Sequence, residues 1–201
     1  HEIASDLLLI EATGVPAHFG RISSARGLEL IEHAQQRGLP VTADVALTHL
    51  ALTEHQLLGF DSMFHLIPPL RTQTDRKALL DGVNRGVLAI STGHEPQDIA
   101  SKNAPFAEAK PGMAIYDTHF ALALDLIQRG ELEPLAWAKS FSLMPKQILG
   151  LTATSNADFT LLQPQNSWQV DKRSCLSTAG NIAGFGHPQL GVVRLRIKGL
   201  A

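Results

Sequence analysis

Pro40-Val41-Thr42-Ala43-Asp44-Val45-Ala46-Leu47-Thr48-His49-Leu50 sets the class of the fold. Its first half is β-branched and apolar with few charges, the composition of a strand buried on both faces, as in parallel sheets. It lies between two helix-like stretches. On its N-terminal side, Ser23 or Ser24 can cap a helix whose apolar face carries Leu28, Leu30, Ile31 and Ala34 and which stops at Gly38. On its C-terminal side, Thr53-Glu54-His55-Gln56 has the form of a capping box.

The same alternation extends outward. Glu2 to Thr13 places Ile3, Leu7 and Ile10 at helical spacing, and Val15 to Ile22 is short and extended. A further helix is expected from Thr72 to Asn84, followed after Gly86 by the strand Val87-Leu88-Ala89-Ile90. Helices and strands in strict alternation indicate parallel βα units. Residues 92–112, with Pro96, Pro105 and Pro111, read as one long loop, a length that is uncommon without a functional reason. Helices are expected over Ala114 to Arg129, Leu135 to Ser142 and Pro145 to Leu149. Beyond Gly150 the pattern changes to short β-type runs (Phe159 to Leu162, Trp168 to Val170, Val192 to Ile197) among Gly, Asn, Ser and Pro. The expected organisation is residues 1–150 as an α/β unit and 151–201 as a small β domain. Gly180-Asn181-Ile182-Ala183-Gly184 precedes no helix and reads as a turn.

Composition narrows the function classes. The 201 residues are 44% apolar and 18% charged with a formal charge of −2, and the mean hydropathy is +0.03. This is globular material without the basic patch that nucleic acid requires. The longest apolar run, Leu7-Leu8-Leu9-Ile10, is far short of the roughly 20 residues that span a bilayer. Cys175 is the single cysteine, so an internal disulfide is excluded and a cytoplasmic setting is expected. The chain begins at His1 within a helical pattern, and an open piece of parallel sheet leaves a strand edge to be paired. An N-terminal half of the same protein is the expected complement.

Several segments together resemble the dihydroorotases of the amidohydrolase superfamily. They are His18-Phe19-Gly20-Arg21-Ile22-Ser23-Ser24, Val41 to Leu50, Pro68-Pro69-Leu70-Arg71, Thr92-Gly93-His94-Glu95-Pro96-Gln97, and Pro145 to Leu151 followed by Ala157-Asp158-Phe159-Thr160-Leu161. The resemblance implies the C-terminal part of a (β/α)8 TIM-type barrel with a small β appendage. In active members the position of Arg21 is a zinc-binding histidine, that of Thr48 another, and that of Gly93 an aspartate that binds metal and moves the proton. Arginine offers no lone pair, a threonine hydroxyl is a poor zinc ligand, and glycine has no side chain. Substrate contacts are altered too: Ile67 stands where the family has asparagine, and Gln97 where it has histidine. His18, His49 and His94 are retained but are not the family's metal ligands. Their expected role is structural.

Relocated ligands would have to come from Glu95, Asp98 or Asp44. For Glu95 and Asp98 solvated loop charges are the expectation. His119 is expected to pack or lie at the surface, and His33, His55, His65 and His187 have no spacing that suggests a site. The resemblance thus implies a noncatalytic dihydroorotase-like pseudo-enzyme without metal, an oligomeric structural partner of the aspartate carbamoyltransferase catalytic chain in pyrimidine biosynthesis. The alternative is an active zinc-dependent cyclic-amide hydrolase of dihydroorotase or hydantoinase type. A third possibility is a regulator that reuses the old pocket, where Arg21 would favour an anion.

Overall fold

The computed structural model describes residues 2–151, 159–184 and 188–197. Helix α1 (Glu2–Thr13) buries Leu7 and Ile10. Strand β1 (Ala17–Phe19) leads to α2 (Ala25–Gln36), whose cap is Ser24: its hydroxyl accepts from the Gly27 amide. Strand β2 (Val41–Ala46) passes directly into the short helix α3 (Leu47–Ala51). The capping box at Thr53 forms as its sequence suggests, on a 3-10 turn (Glu54–Leu57) rather than an α-helix. Helix α4 (Gln73–Asn84) and strand β3 (Ala89–Ser91) follow.

The three strands are parallel in the order β1-β2-β3, with Ala17 opposite Val41 and Val45 opposite Ile90. Ala43, Val45 and Ile90 of this sheet, with Leu88 just before β3, join Leu28, Ile31, Leu79 and Val83 from α2 and α4 in one core. Arg76 of α4 is 5% exposed and pairs with Glu131, while the Asn84 side chain donates to the Glu131 carbonyl. A buried guanidinium is tolerated because it has this partner.

Four expectations are corrected. The long loop contains a short helix, α5 (Ile99–Lys102), capped by Asp98. The helix expected from Ala114 starts only at His119, as α6 (His119–Gln128). Residues 113–115 are extended instead, because their backbone is engaged elsewhere: Met113 accepts from Glu95, and Ala114 bridges Ile182. Beyond α7 (Pro134–Ala138) the chain makes a π-helical turn (Lys139–Leu143) before α8 (Met144–Ile148). Pro145 has no amide hydrogen to continue the regular ladder, and a widened turn absorbs the lost bond. Finally, Phe159 to Leu162 and Trp168 belong to one strand, β4 (Phe159–Gln169), antiparallel to β5 (Pro188–Ile197); Val170 lies just outside it and is buried. Ala157, Asp158 and His187 lie outside the described residues.

Candidate functional site at the strand ends

The C-terminal ends of the parallel strands meet in a cluster organised by Asp44. Its carboxylate accepts from His18 Nε2 at 2.8 Å, from the Arg21 amide at 3.1 Å and from Ser91 Oγ at 2.5 Å. One carboxylate thus ties together the ends of β1, β2 and β3. Asp44 therefore serves this network and does not face Thr48. His18 Nδ1 lies 2.8 Å from Thr42 Oγ1, which commits the other side of the ring.

Arg21 adopts a left-handed backbone conformation (φ 56°), unusual for a residue with a side chain. Its guanidinium forms an ion pair with Glu95 from the long loop. Glu95 is therefore not a free loop charge. Thr48 is buried at the start of α3, and its hydroxyl donates to His49 Nδ1 at 3.2 Å, while His49 Nε2–H donates to the Pro68 carbonyl at 2.9 Å. Burial pushes the His49 pKa down, with the positive charges of Arg21 and Arg71 adding to the effect. A neutral ring fits both hydrogen bonds. His94 stacks on Tyr116 with centroids 3.8 Å apart, and its Nδ1 accepts from the amides of Ile115 and Tyr116.

Gly93 sits beside Thr48 with φ 65°, and a Cβ there would lie 2.8 Å from that of Ala46. The structure therefore brings Gly93 and Thr48 together, and Arg21 to Glu95. The donor set does not fit zinc. Arg21 is a cation already paired, Thr48 spends its hydroxyl on His49, and Gly93 has neither a side chain nor room for one. His18 and His49 have both ring nitrogens committed to protein partners, and His94 has its Nδ1 committed to two backbone amides. Among the described residues, no three of His, Cys, Asp or Glu are placed to share one ion.

The two altered substrate positions have different fates. Ile67 is 57% exposed. Gln97 is built into the loop: its side chain donates to the Pro111 carbonyl at 2.9 Å and its amide donates to Asn181 Oδ1 at 2.8 Å.

Asn181 is the residue the sequence reading missed. It is fully buried, and its Nδ2 donates to the Glu95 carbonyl at 3.0 Å. The segment around it runs along the long loop, with the Gly180 amide donating to the Gln97 carbonyl, and then turns at Ala183-Gly184. Any Cβ at Gly180 would sit 2.4 Å from the Ile99 nitrogen, so only glycine permits this approach. The glycines flanking Asn181 were the available signal.

His119 is largely buried against Phe141, with centroids 4.2 Å apart, and its Nε2 has no hydrogen-bond partner among the described residues. Burial alone lowers its pKa to about 4. It packs, as expected, and lies in the helix layer. Of the other histidines, His65 donates from Nδ1 to the Ala109 carbonyl and His55 meets Thr53. No helix among the described residues is long and apolar enough to cross a membrane.

No protein-family model matches the chain. It is 43% identical over 198 residues to a dihydroorotase-like protein of Pseudomonas aeruginosa, covering 96% of this chain and 47% of that one. It is 33% identical over 190 residues to a dihydroorotase of Syntrophus aciditrophicus, covering 92% and 45%. Among solved structures, the L-hydantoinase (dihydropyrimidinase) of Arthrobacter aurescens superposes with a TM-score of 0.85 at 20% identity, over 98% of this chain and 46% of that one. The inactive dihydroorotase-like domain of a Chaetomium thermophilum CAD-like multifunctional protein superposes with a TM-score of 0.70 at 22% identity, over 95% and 52%. The chain spans about half the length of the curated relatives it matches. The chain is thus similar in sequence to dihydroorotase-like proteins over about half their length, and its fold is that of part of a (β/α)8 TIM-type barrel.

Proposed function

We propose that the protein is a noncatalytic dihydroorotase homologue that works as a structural subunit, assembling in the cytoplasm with the aspartate carbamoyltransferase catalytic chain in pyrimidine biosynthesis. The observation that carries this reading is the state of the three strand-end positions. Arg21 is paired with Glu95, Thr48 is bonded to His49, and Gly93 is packed against Ala46. Activating water on zinc requires several aimed ligands and an open coordination position. These three positions supply none, so the protein functions without a metal cofactor. The three parallel strands and their helices nevertheless keep a well-buried core, which suits a protein kept for its surfaces. An N-terminal half completes the barrel beyond the outer strands β1 and β3, and the full protein is oligomeric.

The competing reading, a zinc-dependent dihydroorotase or hydantoinase, is favoured by the 33% identity to a protein named dihydroorotase. Sedimentation of the full-length protein with and without the carbamoyltransferase catalytic chain separates the two. The structural reading expects a stable complex of defined stoichiometry. Two independently sedimenting proteins would refute it.

A further inference from the structure

His94 to Gln97 follow closely on the end of β3, in the loop position that moves in many barrel enzymes to admit substrate. Here their main chain is fastened from two other parts of the sequence. The Glu95 amide donates to the Met113 carbonyl at 2.9 Å, and the Glu95 carbonyl accepts from Asn181 Nδ2 at 3.0 Å. Pro96 has no amide hydrogen to place. The Gln97 amide donates to Asn181 Oδ1 at 2.8 Å, and the Gln97 carbonyl accepts from the Gly180 amide at 2.8 Å. His94 bridges Met113 and Ala114 bridges Ile182, so three stretches far apart in the chain run side by side.

Close packing reinforces these bonds. A Cβ at Gly112 would sit 2.6 Å from the Glu95 carbonyl oxygen, and one at Gly180 would sit 2.4 Å from the Ile99 nitrogen. Main chain therefore lies directly on main chain at two places along the loop. Asn181 is fully buried, and its amide serves one contact as donor and the other as acceptor. Either group left unpaired in that position would be costly.

We infer that residues 180–183 are a strap: they hold residues 94–97 down at the strand ends and set Glu95 where it meets Arg21, so that the loop opens only when the strap comes away. Asn181 is the positioning residue of this device. It acts on Arg21 in series, through the Glu95 main chain and then the Glu95–Arg21 ion pair. The strap is a property of this chain alone and does not rest on a carbamoyltransferase partner.

Hydrogen exchange on the full-length protein reads the device without any substitution. Opening as one unit gives the amides of Glu95, Gln97, Ala114, Gly180 and Ala183 a common protection factor. Asn181→Asp keeps the side-chain shape but turns the donor into an acceptor facing the Glu95 carbonyl. It should lower protection by about tenfold or more at all five amides and leave the core amides of β2 unchanged. Peptide mapping of phenylglyoxal modification supplies a reading at the far end of the series. Arg21 should react about threefold faster in Asn181→Asp, as in Glu95→Gln, because the pair is partly open to solvent. Combining the two substitutions should add nothing further. Gly180→Ala forces the segment away from Ile99 and should repeat the Asn181→Asp result, and it takes over if that variant does not fold. Glu95 and Gln97 amides that exchange independently of Gly180 and Ala183 would overturn the strap. So would an Arg21 reactivity that rises in Glu95→Gln but stays at the parent level in Asn181→Asp and Gly180→Ala.

Discussion

The bodies of the parallel strands and their C-terminal ends belong to the same sheet yet follow different rules. Along the bodies, Ala43, Val45 and Ile90, with Leu88 at the entry to β3, are almost fully buried among the residues of α2 and α4, and the strands keep regular parallel register. At the ends, two positions sit at positive φ, a carboxylate ties three strands together, and an ion pair joins Arg21 to the long loop. The bodies are governed by volume and the ends by specific polar partners. A fold can therefore keep its core while the chemistry at its rim is replaced.

The largest expected effect lies in the bodies. Leu88→Ala removes a fully buried side chain and should cost about 3–5 kcal/mol in denaturant unfolding of the full-length protein. A loss below about 1 kcal/mol would mean that the sheet is not the centre of the core.

Next comes the attempt to restore an end. Gly93→Asp must hold a side chain at φ 65° against the Ala46 methyl, and the expected cost is about 2–4 kcal/mol. For the same reason the triple variant Arg21→His, Thr48→His, Gly93→Asp should yield little dihydroorotate hydrolysis. Appreciable turnover would show that the ends were still poised for chemistry.

The helix layer that covers the bodies supplies a pH test. His119 is neutral when folded, with a pKa of about 4, and takes up a proton once unfolded, where 6.5 is the ordinary value. Its contribution is therefore complete above pH 6.5 and lost progressively as the pH falls toward 4. At pH 5 the loss should be about 2 kcal/mol, and His119→Phe should flatten the slope. His49, buried at the ends, adds in the same direction. An unchanged pH profile in His119→Phe would place that histidine in solvent.

The smallest effect is expected where the ends look most distinctive. The Arg21 and Glu95 side chains are 40% and 35% exposed, so their ion pair should contribute less than about 1 kcal/mol in a double-mutant cycle. A coupling of several kcal/mol would make it a buried structural tie.

Legibility in the sequence divides along the same line. Helices α1, α2 and α4 were readable because periodic apolar residues and a cap such as Ser24 act locally. The absence of ligand chemistry at Arg21, Thr48 and Gly93 was readable from residue type alone. The delayed start of α6 was not, because the strip that claims the Ala114 backbone lies 68 residues further along. Nor were Asn181 and the partner of Glu95, which depend on contacts between residues 86 and 74 positions apart in the chain. Long-range polar pairing leaves no periodic trace in sequence.

The central claim is that the strand ends no longer support zinc chemistry. Elemental mass spectrometry on the full-length protein, purified without chelators and offered zinc, tests it most directly. The account predicts a folded protein that retains essentially no zinc per chain. One or two tightly held zinc ions per chain, with hydrolysis of dihydroorotate, would contradict it.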